Sequence, residues 1–134
     1  MPVESSEVIT VATSDDVVRV RQAVRTKAVA TRFSLVDQTK IITAASEIAR
    51  NTVDYGGGGT LLIETLREGT RNGLRLTFAD QGPGIEDLDR AMTDGYTTGN
   101  GLGLGMSGAK RLCNEFQVKS TPGHGTIVTL ARWR

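Results

Sequence analysis

DQGPGIEDLDRAMTDGYTTGNGLGLGMSG, residues Asp80 to Gly108, is the stretch on which the reading of the whole chain turns. It opens with a carboxylate beside paired glycines, Asp80-Gln81-Gly82-Pro83-Gly84, and closes on a second cluster, Gly99, Gly101, Gly103, Gly105 and Gly108. Glycine lets another group approach the backbone closely. Two such clusters flanking a polar segment describe a loop that folds over a ligand. The second cluster runs into MSGAKRLCNEF, which reads as a helix start. Free N–H groups and the positive dipole end at such a start suit a phosphate. Two better-known phosphate loops do not fit. Gly103 to Gly108 matches G-x-G-x-x-G by letter, but no strand pattern precedes it and Glu115 comes too soon for the ribose-binding acid. The P-loop pattern fails because Ala109-Lys110 stands where Lys and Ser/Thr are needed.

Outward from this stretch, Leu74, Leu76 and Phe78 alternate with Arg75, Thr77 and Ala79. That period predicts a half-buried strand delivering Asp80 at its C-terminal end. Thr60 to Leu66 predicts a partner strand, joined through the turn signals Gly69 and Asn72-Gly73. Ser34-Leu35-Val36-Asp37 resembles a capping box and starts a helix whose buried stripe is Ile41, Ile42, Ala45, Ile48, Ala49 and Val53. Thr43, Glu47 and Asn51 stack along another face of it, four residues apart. Taken alone, Glu47 and Asn51 read as exposed polar residues. The helix ends near Tyr55 at the quartet Gly56 to Gly59.

Further upstream, Glu7 to Val11 is a short strand, and Thr13 or Ser14 caps a helix with Asp15 and Asp16 in its first turn. Val17, Val20, Val24 and Ala28 form its buried stripe, while Arg19, Arg21, Arg25 and Lys27 read as a solvated face or a partner surface. Downstream, Glu86 to Met92 is a short helix and Met106 to Asn114 a longer one with Met106, Ala109, Leu112 and Cys113 inward. Phe116 and Val118 mark a strand, Thr121 to Gly125 a turn holding His124, and Ile127 to Ala131 a returning strand. Arg132-Trp133-Arg134 caps the sheet or touches a partner. Helices do not alternate regularly with strands, so the expectation is α+β: a two-layer sandwich, a mixed sheet with helices on one face.

At 134 residues the chain has the size of one domain, 1–134. Its 16 basic and 15 acidic residues nearly cancel, which points away from nucleic acid and anionic membranes. There is no apolar run long enough to span a bilayer and no signal-peptide pattern. A lone cysteine, Cys113, agrees with a reducing cytoplasm and reads as a core residue; with a single histidine it makes zinc binding a poor fit.

Four features now stand in one order: Glu47-x-x-x-Asn51 on a helix, Asp80-x-Gly82-x-Gly84 after a strand, Gly101-Leu102-Gly103-Leu104-Gly105, and Gly123-x-Gly125-Thr126 between the last strands. Together they resemble the GHKL ATP-binding superfamily of gyrase, Hsp90, histidine kinases and MutL. The stretches SEIARN, DQGPGI, DGYTTGNGLGLGMSGAKRLCNEF and LARWR look most like the RsbT-type switch serine/threonine kinases of the stressosome. The resemblance implies ATP and Mg²⁺ as cofactors, with Glu47 as general base and Asn51 as the metal ligand. It implies nucleotide contacts from Asp80, Gly82, Gly84, Gly101, Leu102, Gly103, Leu104, Gly105 and Thr126, with Arg50 and Lys110 as further possible phosphate contacts. The implied partners are STAS-domain substrates and, on release, a PP2C-type phosphatase that the kinase activates. Two rival readings stay open: an anti-sigma factor of the RsbW type that holds a sigma factor directly, and a nucleotide-gated binding module. The short segment between the glycine boxes, with no second domain and no phosphoacceptor helix pair, departs from gyrase, chaperone and complete histidine kinase.

Overall fold

The computed structural model describes residues 3–84 and 105–134. Five strands form one sheet: β1 (Val3–Val11), β2 (Gly59–Glu68), β3 (Arg71–Asp80), β4 (Glu115–Thr121) and β5 (Gly125–Trp133), in the order β1-β2-β3-β5-β4. Among the described residues three helices accompany them: α1 (Ser14–Ala30), α2 (Leu35–Asp54) and α3 (Gly105–Arg111). The predicted helix over Glu86 to Met92 lies outside the described residues.

The helices start where side chains replace missing backbone partners. Thr13 caps α1 in a full capping box: its hydroxyl accepts from Asp16 N, and the Asp16 carboxylate accepts from the N–H groups of Ala12 and Thr13. Those N–H donors lead the causes that hold the Asp16 carboxyl below its usual range. Ser34 caps α2 by accepting from Asp37 N at 3.1 Å. Here the box is only half made, because the Asp37 carboxylate turns away to Arg132 at 2.6 Å.

Val17, Val20, Val24 and Ala28 of α1, with Ile41, Ile42, Ala45, Ile48 and Ala49 of α2, pack on one face of the sheet. Leu61, Ile63, Leu74, Leu76, Phe78, Val128 and Leu130 meet them there. The strand alternation in β3 and the two helical stripes are therefore the core, while Val53 is only partly buried at its edge. The sheet is a correction to the mixed one expected: every pairing is antiparallel. The cause is topological. Two helices between β1 and β2 return the chain to the end it left, and β2–β3 and β4–β5 are hairpins.

The helix expected to reach Asn114 stops at Arg111. Leu112 N and Cys113 N close its last turn on Ala109 O and Lys110 O, and Asn114 joins the sheet through Ala131 O. Met106 and Ala109 are buried, and Leu112 and Cys113 pack partly buried against the core. On the opposite face of the sheet, Leu66, Ala131 and Trp133 are buried apart from the main core. The Trp133 ring covers Gly73, where an added Cβ would sit 2.8 Å from it, and Arg71 lies 4.9 Å above the ring. Trp133 Nε1 donates to Glu115 at 2.8 Å. The C-terminal residues are thus a clasp on the sheet.

Candidate nucleotide site

β3 ends at Asp80, and the site is built around that carboxylate. Its Oδ1 accepts from Gly82 N at 2.9 Å and, across 46 residues, from Thr126 N at 3.2 Å. Among the described residues no hydrogen bond falls on Oδ2. One oxygen therefore fixes the side chain, and the other stays available as an acceptor.

The walls around it are backbone because nothing larger fits. A Cβ on Gly56 would sit 2.5 Å from Asp80 Oδ2, and one on Gly82 would sit 2.7 Å from Gly56 Cα. Gly125, with φ +95, would place a Cβ 2.1 Å from Asp80 O, and Gly84, with φ +79, would place one 2.5 Å from Thr121 O. Gly123 N donates to Pro83 O at 2.7 Å, stitching the turn after β4 to the segment after β3. A half-buried carboxylate with a floor of peptide planes can receive an amine donor on a flat aromatic ring.

α2 brings the second half. Tyr55 N and Gly56 N both donate to Asn51 O, at 2.9 and 3.2 Å, so the helix end carrying Asn51 leads directly into the glycine that touches Asp80. Glu47 and Asn51 are half-buried, one turn apart on α2; Thr43 on the same line is exposed. Glu47 engages a partner of its own. Arg50 and Lys110 are exposed, and His124 is an exposed turn residue whose N–H donates to Thr121 O at 2.9 Å.

Asp80, Gly82 and Thr126 are thus joined at one end of the sheet, with Gly84 packed beside the turn after β4. Gly56 links them to the end of α2 that carries Asn51, with Glu47 one turn further back. Gly101, Leu102, Gly103 and Leu104 lie outside the described residues, and Gly105 is the first residue of α3. Thr126 reaches Asp80 through its backbone N–H, while its hydroxyl pairs with Ser120 Oγ at 2.9 Å. Sequence reading missed Gly56 as a site residue. The quartet Gly56 to Gly59 was visible only as a helix end, although four glycines are more than a helix stop requires.

Comparison with known proteins identifies the family. Residues 36–134 match the model of the histidine kinase-, DNA gyrase B- and HSP90-like ATPases. The chain is similar to the serine/threonine-protein kinase RsbT of Bacillus subtilis (strain 168), with 42% identity over 93% of this chain and 94% of that one. It is also similar to the anti-sigma F factor of Thermoanaerobacter sp. (strain X514), with 32% identity over 69% of this chain and 68% of that one. Among solved structures, the RsbU and RsbW domains of a Mycobacterium tuberculosis protein align with a TM-score of 0.66 and 19% identity. That alignment covers 97% of this chain and 33% of the longer one, a likeness of fold alone. The chain belongs to the histidine kinase-, DNA gyrase B- and HSP90-like ATPase family, on its protein serine/threonine kinase branch.

Proposed function

We propose that residues 1–134 act as one kinase domain. It transfers the γ-phosphoryl group of ATP to a seryl or threonyl hydroxyl of STAS-domain regulators in the cytoplasm. Once released from them, it binds and activates a PP2C-type phosphatase in sigma-factor control. The observation that carries this reading is the Asp80 carboxylate, fixed through Oδ1 by Gly82 N and Thr126 N with Oδ2 left for the adenine amine. Gly82 and Gly84 give the base a backbone surface to lie on. The glycines Gly101, Gly103 and Gly105, with Leu102 and Leu104, hold the phosphates.

Asn51 offers its side-chain oxygen to Mg²⁺. Among the described residues there is no group of three or more His, Cys, Asp or Glu that could hold a metal. Mg²⁺ would keep several waters and take further oxygens from phosphate, so a single side-chain oxygen would serve it. When bound, the ion neutralises charge on the β- and γ-phosphates. Glu47 accepts the proton of the attacking hydroxyl. The hydroxyl oxygen bonds to the γ-phosphorus, the bond to the β–γ bridging oxygen breaks, and ADP leaves.

Glu47→Ala tests the assignment with radiolabelled ATP and a STAS-domain substrate. The expected result is a fall in phosphotransfer of about 10²–10⁴-fold with ATP affinity retained. Full transfer by the variant removes Glu47 from the role of base. The likeness to an anti-sigma F factor supports a second reading, direct capture of a sigma factor. Pull-down against sigma factor, STAS protein and phosphatase separates the two, and sigma capture alone overturns the first.

A further inference from the structure

From Val17 to Val36 the chain carries five cations, Arg19, Arg21, Arg25, Lys27 and Arg32, and no acid, although its net charge is only +1. The acids flanking this run are already committed: Asp16 to Arg19, and Asp37 to Arg132. Among the described residues Arg21, Arg25, Lys27 and Arg32 have no ion-pair partner.

Apolar side chains stand out beside these charges. Val29 is 56% exposed, Leu35 77% and Val36 62%. The turn between α1 and α2 is tight, with Arg32 N donating to Val29 O and Phe33 N to Ala28 O, both at 3.0 Å. Arg32 is held at φ 64, an uncommon conformation for a residue with a side chain. The turn therefore gathers Val29, Arg32, Leu35 and Val36 at one tip of the helical layer, with Arg25 one turn back along α1. Lys27, on the other flank of α1, opens onto a shallow depression of about 380 Å³ shared with Thr31, Arg67 and Asn72.

The tip lies far from the nucleotide end. The depression reaches Asn72 at the start of β3, whereas Asp80 closes the same strand. Eight residue steps along the strand separate them, roughly 26 Å at ~3.3 Å each. A partner seated here leaves the nucleotide site open.

We propose that the α1–α2 tip, Arg25, Val29, Arg32, Leu35 and Val36, docks an acidic amphipathic segment of a protein partner. Arginine predominates among the unpaired cations, and its planar fork pairs with carboxylates in two-point contacts. Arginine is enriched at protein interfaces, and the exposed aliphatic side chains beside it supply apolar area for a partner to bury. Nucleic acid offers them little to bury. A membrane surface calls for a larger apolar face with aromatic anchors, and the aromatic residue of the turn, Phe33, is buried in the core.

The test uses the full chain and a synthetic helical peptide with leucine on one face and glutamate along its flanks. Its controls are the lysine-flanked counterpart, phosphatidylserine vesicles and duplex DNA. Arg25→Glu/Arg32→Glu and Val29→Asp are the variants, all at exposed positions, with ATP binding measured to show that the fold is intact. The expected result is binding of the acidic peptide that weakens with salt and falls about tenfold or more in the charge-reversed protein, with ATP affinity unchanged. The proposal is overturned by no binding, by equal binding to the lysine peptide, by affinity that survives charge reversal, or by vesicles or DNA outcompeting the peptide.

Discussion

Asp80→Asn separates the architectural work of the carboxylate from its work on the ligand. Asparagine keeps an oxygen where Oδ1 accepts from Gly82 N and Thr126 N, so both bonds can persist. They lose their charge assistance, a cost of about 1 kcal/mol apiece at most. At the other position the change is a reversal. Oδ2 becomes an NH₂ beside Gly56, and under the proposed assignment a donor then faces the adenine amine. Losing a hydrogen bond to a charged acceptor costs about 1.5–3 kcal/mol, and leaving the opposing donor unsatisfied costs about 1–3 more. The sum corresponds to a weakening of ATP binding by roughly 10²–10⁴-fold, at about 1.4 kcal/mol per tenfold. Calorimetry with ATP, with and without Mg²⁺, reads the affinity, and urea unfolding reads the stability. An Asp80→Asn protein that binds ATP within about threefold of wild type would refute the assignment of Oδ2 to the ligand. A loss of stability with ATP affinity unchanged would show that the carboxylate serves the fold alone.

Three further outcomes follow from local geometry. Gly125→Ala forces a side chain onto a residue at φ +95 and against Asp80 O, so it should destabilise by about 2 kcal/mol or more and disturb ATP binding with it, measured by denaturation and calorimetry together. Asp37→Asn removes the partner of Arg132, a pair whose side chains are 14% and 25% exposed, and should cost about 1 kcal/mol at pH 7. The Arg132 hydrogen bond holds the Asp37 carboxyl below its ordinary value. The stabilisation is therefore full above the unfolded pKa of about 3.9 and is lost as pH falls through the lowered folded value. Urea midpoints of wild type and variant should converge at acid pH; a gap that persists there contradicts the linkage. Burial pushes the Cys113 thiol up to about 11, so a maleimide at pH 8 should label the native protein slowly and the unfolded protein fast; equal rates would place the thiol in solvent.

Much of this protein is local and therefore legible in the chain. The stripes of α1 and α2, the alternation of β3 and the delivery of Asp80 at its end are periodic signals that each element carries within itself. Caps belong to the same class, because Thr13 and Asp16, or Ser34 and Asp37, meet within one turn. The order of motifs around Glu47, Asn51, Asp80 and the glycines was equally readable, since spacing along the chain is all that it requires.

The tertiary structure decided whatever depends on residues distant in sequence. It set Thr126 N on Asp80, pressed Gly56 against the same carboxylate, and turned Asp37 from its own helix cap to Arg132, 95 residues away. It made the sheet antiparallel and folded Trp133 onto its back. No period encodes these contacts, for each arises only when separate elements pack and their buried polar groups must find partners across the gap. The same packing buried the apolar stripes of α1 and α2 while leaving Val29, Leu35 and Val36 exposed, because they lie off the helix faces that meet the sheet.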